Sequence, residues 1–147
     1  MQANNISLEV VAARTSLQKP QRPVHRILVA DDDIPILQLN VKVLSTSGYL
    51  VQAVEDGSAA WEALIATKYD LLITDNNMPK VTGVELIQRL REARMALPII
   101  LATGLVPEDD FERSPWLRPN ATLLKPYSVD QLLGTVQEVL GTVRAPL

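Results

Sequence analysis

Five polar or charged side chains lie at points where apolar runs of the sequence stop. They are, in chain order, Asp31, Asp32, Asp75, Thr103 and Lys125. If these runs are parallel strands of one sheet, their carboxyl ends share an edge, and the three carboxylates meet there. Converging carboxylates repel one another unless a cation lies among them, and hard oxygen ligands of this kind select an ion such as Mg²⁺. The residue types therefore predict an open acidic metal site.

The same residues predict phosphoryl transfer as the chemistry of the site. An aspartate carboxylate can attack phosphorus to give an acyl phosphate, and a metal ion screens the approach of an anionic donor. Asp75 is the candidate nucleophile because it ends a central apolar run and a loop follows it. The Lys125 ammonium would oppose the charge of the transferred group, and the Thr103 hydroxyl would donate a hydrogen bond to it as a switch element.

Each of these residues also has an ordinary structural interpretation when it is taken singly. An aspartate at a strand-helix junction can cap the helix, and we predict this role for Asp33. Thr103 can bond its own backbone, and Lys125 can be a surface lysine. The joint placement at strand ends favours the functional interpretation. His25, the only histidine, is predicted to be a surface residue and not a phosphoryl relay.

The secondary-structure elements that position these residues are predicted from apolar runs, typical of strands, that alternate with segments whose apolar residues recur at helical spacing. Five runs predict buried strands, at residues 27–30, 50–54, 71–75, 99–103 and 121–124. Helices are predicted after them, with Leu37, Val41 and Leu44 on the buried stripe of the first. Three prolines after the fourth strand leave room only for a short helix near 108–113. Parallel strands need crossover connections, so the pattern predicts a doubly wound α/β fold with helices on both faces of the sheet.

The bulk composition limits the classes of function. The chain has 147 residues and no cysteine, which fits one domain in a reducing cytoplasm. A net charge of -3 without a basic run argues against nucleic acid or membrane surfaces as partners. We predict one folded domain over 24–143, a tail over 144–147, and an N-terminal extension and linker over 1–23, where Pro20 and Pro23 disfavour helix.

Four segments of the chain together resemble the response-regulator receiver family of two-component signalling. The matching segments are 27–33, 71–79 with Gly83 beyond, 99–104, and 123–127. The resemblance extends over essentially the whole of 24–143 and implies the flavodoxin-like receiver fold, a five-stranded parallel sheet of order 2-1-3-4-5. It also implies a cis peptide bond before Pro126.

The resemblance carries a role to each candidate residue. Asp75 is implied to be the phospho-acceptor, Thr103 to bind the phosphoryl group, and Lys125 to bridge the phosphoryl group and the acidic pocket. The cofactor is implied to be Mg²⁺. Its implied ligands are Asp32, Asp75, the backbone carbonyl of Asn77 and, through a water molecule, Asp31.

The function implied is that of a phospho-receiver in a two-component system or phosphorelay. A sensor histidine kinase or a histidine phosphotransfer protein would be the donor, and phosphorylation would switch contact with a downstream protein partner, with homodimer formation as one outcome. No output domain is predicted after the receiver, and no enzymatic activity beyond phosphorylation and dephosphorylation of its own aspartate. The alternative is a receiver-like binding module that works without phosphorylation. A haloacid-dehalogenase type of hydrolase is disfavoured, because no second acidic pair follows the fourth strand.

Three positions depart from the family pattern. Thr122 lies where receivers commonly carry an aromatic residue, so the aromatic switch that accompanies the threonine is missing. Thr82 replaces the usual aspartate before Gly83, which is expected to affect only the loop. The short helix predicted near 108–113 alters the face that receivers commonly use for partners. These departures concern signal output more than phosphorylation.

Overall fold

The five-stranded sheet predicted from the sequence is present. The computed structural model describes residues 24–144, so the predicted extension over 1–23 and nearly all of the tail over 144–147 lie outside the described residues. In this part of the chain the strands are β1 Arg26–Ala30, β2 Leu50–Val54, β3 Leu71–Asp75, β4 Ile99–Thr103 and β5 Ala121–Leu124. The helices are α1 Ile34–Thr46, α2 Gly57–Ala66, α3 Gly83–Glu92, α4 Glu108–Arg113 and α5 Val129–Arg144, with a 3₁₀ turn at Pro115–Leu117.

All strand pairs are parallel, and their order is β2-β1-β3-β4-β5, as predicted. The strands end nearly level with one another. Asp75 at the end of β3 is level with Ala102, and Thr103 at the end of β4 is level with Leu124 at the end of β5. The residues at these strand ends therefore share one edge of the sheet, which is where open parallel sheets bind ligands.

Two apolar layers cover the two faces of the sheet, because successive side chains of a strand point to opposite faces. One layer contains Leu44 of α1 and Val136 of α5. The other contains Leu86 of α3 and Phe111 of α4. The short helix α4 confirms the effect predicted for the prolines, and its Phe111 side chain is 1% exposed. A six-residue helix is thus held on the sheet by one aromatic anchor.

The buried face of α1 differs from the predicted stripe. Leu37 and Leu44 are buried as expected, but the third fully buried residue is Asn40, and Val41 is only half-buried. The three buried positions are spaced by three and four residues, which is one face of a helix. A hydrophobic pattern does not identify Asn40 as a buried residue, because its side chain is polar.

Candidate functional site

Three carboxylates converge at the carboxyl edge of the sheet. Asp31 follows β1 and is 2% exposed, and Asp75 ends β3 and is 6% exposed. Asp32 is exposed on the solvent side of the pair. One carboxylate oxygen from each residue lies within 4.8 Å of the others. The order of β1 and β3 in the sheet brings together residues that are more than 40 positions apart in the sequence.

Lys125 supplies a positive charge to this acidic cluster. Its Nζ atom lies 2.8 Å from Asp31 Oδ2 and 3.4 Å from Asp75 Oδ1. The backbone N–H of Lys125 donates to the Thr103 carbonyl, which aligns the start of the turn after β5 with the end of β4. Burial by itself would lower the pKa of the Lys125 ammonium, but its hydrogen bond to Asp31 and the two carboxylate charges together raise it. The ammonium is therefore fully charged at neutral pH.

Asp75 lies in an environment that disfavours its charge. Burial raises the pKa of the Asp75 carboxyl, the Lys125 ammonium opposes this shift, and the Asp31 carboxylate adds to it. Together these effects raise the pKa of Asp75. An added cation beside Asp75 would lower this pKa, because an opposite charge within a few ångströms favours the ionised carboxylate.

The donor set fits a hard divalent cation. Carboxylate oxygens are the ligands that Mg²⁺ prefers, and a site at an open sheet edge leaves room for the water molecules that this ion retains. Asp31 is bound to Lys125, whereas the exposed Asp32 carboxylate is accessible to a cation. Asn77 lies in an exposed part of the loop two residues after Asp75, and its carbonyl remains a predicted ligand.

The loop after Asp75 is tied back against the end of β3. The Asn76 carbonyl accepts the Gly83 N–H at 2.9 Å, and the Asn76 side-chain oxygen accepts the Val84 N–H at 3.0 Å. Gly83 is required for this close approach, because a Cβ atom there would lie 2.5 Å from the Asp75 carbonyl oxygen. Thr82 caps α3 in a capping box with Glu85, so it has a helix-capping function beyond the loop.

Thr103 is fully buried, and its hydroxyl bonds the loop that follows β4. The Oγ1 atom donates to the Leu105 carbonyl at 3.1 Å and lies 3.4 Å from the Leu105 N–H. The Leu105 side chain is 80% exposed. A phosphoryl group on Asp75 would have to compete with the Leu105 carbonyl for this hydroxyl. Phosphoryl binding by Thr103 remains a prediction.

Asp33 caps α1, as predicted, and its side chain accepts the Ile36 N–H. Its own backbone N–H donates to Asp31 Oδ1 at 2.9 Å, which orients the buried carboxylate. His25 lies just before β1, at the opposite edge of the sheet from Asp75, with its ring centroid 6.3 Å from that of Tyr49. The peptide bond between Lys125 and Pro126 is cis, as the resemblance implied.

Two residues near the cluster were not assigned a role from the sequence. The Asn40 side chain on α1 donates to the Tyr127 hydroxyl at 2.8 Å. A polar residue on the buried face of a helix indicates such a pair. It can be recognised in the sequence only after the buried face of the helix is known.

Residues 27–137 match the family model of the response regulator receiver domain. The matched segment runs from the second residue of β1 past the end of β5 and contains every residue of the acidic cluster. The chain therefore belongs to the response regulator receiver domain family.

Individual relatives agree with this assignment. The chain is 33% identical over 120 residues to the response regulator receiver protein CpdR of Brucella abortus, covering 78% of this chain and 96% of that protein. It is 32% identical over 119 residues to the transcriptional regulatory protein RprY of Bacteroides fragilis, covering 81% of this chain but only 50% of that protein. The solved structure of the chemotaxis response regulator CheY4 of Vibrio cholerae has a TM-score of 0.72 and 28% identity, covering 80% of this chain and 99% of that chain.

Among residues 24–144, no helix has the length and apolar character needed to cross a membrane.

Proposed function

We propose that this protein is a Mg²⁺-dependent phospho-receiver that accepts a phosphoryl group on Asp75. The observation that carries the proposal is the Lys125 ammonium between the carboxylates of Asp31 and Asp75, at 2.8 Å and 3.4 Å. A cationic group beside the nucleophile opposes the charge that the equatorial oxygens carry during transfer. The site therefore provides a nucleophile and a fixed counter-charge.

In the proposed reaction, one Asp75 carboxylate oxygen forms a bond to phosphorus while the bond from phosphorus to the donor breaks. The electron pair of the broken bond leaves with the donor group, which is an imidazole of a histidine or a small carboxylate. When bound, Mg²⁺ would neutralise the phosphoryl oxygens and be held by Asp32 and Asp75, with the Asn77 carbonyl and, through water, Asp31. Asp31 keeps the Lys125 ammonium beside the nucleophile.

The phosphoryl donor in the cell is proposed to be a sensor histidine kinase or a histidine phosphotransfer protein. The proposal includes no enzymatic activity beyond the turnover of its own aspartyl phosphate, a cytoplasmic location, and no direct contact with nucleic acid or membrane. The relatives differ in length: the chain spans nearly all of CpdR and half of RprY.

The switch is proposed to involve Thr103. Its hydroxyl bonds the Leu105 carbonyl before phosphorylation. Transfer of this hydrogen bond to a phosphoryl oxygen would release the Leu105 backbone and alter a surface on which its side chain is exposed. A downstream protein partner, or a second copy of the chain, would distinguish the two states.

Intact mass after incubation with acetyl phosphate and Mg²⁺ tests the central step. We expect a single phosphate adduct that disappears in Asp75→Asn and when a chelator removes Mg²⁺. Asp33→Asn is the matched control. It makes the same change from aspartate to asparagine at the N-cap of α1, and asparagine keeps the helix cap. If wild type forms no adduct and does not bind beryllofluoride, the result contradicts the proposal and supports a binding module that works without phosphorylation.

A further inference from the structure

Asn40 is a polar residue on the face of α1 that packs into the core. It is 2% exposed and lies between the buried residues Leu37 and Leu44 on that face. A buried amide without partners is unfavourable, so an apolar residue would normally occupy this position. The Asn40 Nδ2 atom instead donates to the Tyr127 hydroxyl at 2.8 Å, across 87 residues of sequence. The helix thus carries a polar group whose partner lies on another element.

The partner residue belongs to the turn that carries Lys125. Tyr127 follows Lys125 by two residues, and its half-buried ring packs against the core layer of α1 and α5. Burial raises the pKa of the Tyr127 hydroxyl, the hydrogen bond from Asn40 opposes this shift, and the Asp31 charge adds to it. Because Lys125, two residues before Tyr127, contacts both Asp31 and Asp75, the Asn40–Tyr127 bond joins α1 to the segment that enters the acidic cluster.

The Asn40–Tyr127 bond joins the same two segments of the chain as the Lys125–Asp31 ion pair. Asp31 precedes α1, which carries Asn40, and Lys125 begins the turn that carries Tyr127. A lysine side chain has four rotatable bonds, so its ammonium is placed accurately only if its backbone is held. The two links therefore fix the turn at two points relative to α1.

We propose that Asn40 and Tyr127 are positioning residues that hold the Lys125 ammonium in register with Asp75. The proposal rests on the proposed function, because it assigns Lys125 a part in phosphoryl transfer. Nζ lies 2.8 Å from Asp31 and 3.4 Å from Asp75, so a small shift of the turn changes its reach to a group on Asp75. A misplacement of about 1 Å can cost about 10²-fold in rate. Loss of the single hydrogen bond between Asn40 and Tyr127 is expected to cost less, roughly 3–10-fold.

The test compares Tyr127→Phe, Asn40→Leu and the double variant with wild type. The rate of adduct formation with acetyl phosphate is followed by intact mass at saturating Mg²⁺, and the Mg²⁺ dissociation constant is measured by calorimetry. Tyr49→Phe is the matched control, since Tyr49 packs against the same core layer but lies before β2 at the opposite edge of the sheet. The double variant replaces both polar partners with apolar groups, which keeps the fold stable enough to assay.

We expect each single variant to lower the phosphorylation rate roughly 3–10-fold and the double variant to lower it no further, because both changes remove one shared bond. The Mg²⁺ dissociation constant should change less than twofold, since neither residue is a metal ligand. Rates within twofold of wild type, or equal losses in rate and in Mg²⁺ affinity, would overturn the positioning role. A wild type that neither forms an adduct nor binds beryllofluoride would overturn the proposed function and this inference together, whereas a normal wild-type adduct with unaffected variants overturns only the inference.

Discussion

Asp75→Asn is expected to stabilise the fold in the absence of Mg²⁺, although it removes the phospho-acceptor. Asp75 is 6% exposed and lies within 4.8 Å of carboxylate oxygens of Asp31 and Asp32. The Lys125 ammonium contacts two of these carboxylates, those of Asp31 and Asp75. Neutralising Asp75 removes two repulsions and one attraction, and it also removes the cost of burying a charge.

The magnitude follows from the distances. At an effective dielectric constant of about 20, two like charges at the 4.8 Å limit that bounds these separations repel by about 3.5 kcal/mol, and the contact with Lys125 at 3.4 Å contributes about 5 kcal/mol of attraction. Solvent screens the exposed Asp32 carboxylate, so the repulsions and the attraction nearly cancel, and the cost of burying the Asp75 charge, about 1–3 kcal/mol for a partly compensated group, decides the sign of the change. The expected gain in the free energy of unfolding is therefore about 1–2 kcal/mol.

Urea unfolding followed by circular dichroism at pH 7.5 with a chelator measures this gain. With a slope of about 2 kcal/mol per molar urea, the midpoint of Asp75→Asn should rise by roughly 0.5–1 M. Mg²⁺ at about 100 times its dissociation constant should stabilise wild type by about 2.7 kcal/mol and the variant by much less. Asp33→Asn serves as control and should leave the midpoint unchanged, because Asp33 is an exposed helix cap.

A midpoint that falls or stays constant in Asp75→Asn would refute the reasoning. Such a result would mean that the attraction between Lys125 and Asp75 outweighs both the repulsion from the other carboxylates and the cost of burying the Asp75 charge.

The remaining predictions concern pH, the loop after β3 and the cap of α3. Because the pKa of Asp75 is raised above its ordinary value of 3.8, the native state binds more protons than the unfolded state between pH 3.8 and the folded pKa. Stability should therefore fall as pH rises through this range. Urea titrations without Mg²⁺ should show the fall in wild type relative to Asp75→Asn. Gly83→Ala should destabilise by about 2 kcal/mol or more and slow adduct formation, since its Cβ would lie 2.5 Å from the Asp75 carbonyl oxygen; a wild-type midpoint and rate would contradict this. Thr82→Ala should cost about 1 kcal/mol through loss of the capping box with Glu85, and Thr82→Ser should restore most of it in the same urea assay.

Local patterns were sufficient for the strands, the α4 helix and the cap of α1. An apolar run of four or five residues that ends at a charged residue identifies a buried strand and its carboxyl end, as at Asp75 and Lys125. Prolines restrict their own backbone and that of the preceding residue, so the short length of α4 could also be predicted from the sequence. The strand order needed the resemblance to receivers, because periodicity does not identify strand neighbours.

The amino-acid sequence by itself determined the residue types at each strand end, and with them the chemistry of the site, because side-chain alternation and chain breakers act over a few residues. Only the tertiary structure decided how these groups pair. The tighter contact of Lys125 with Asp31 than with Asp75, the burial of Asn40 against Tyr127, and the approach of Gly83 to Asp75 all involve separate elements. Such contacts depend on the packing of helices on the sheet and on distances of a few tenths of an ångström, which hydrophobic periodicity does not encode.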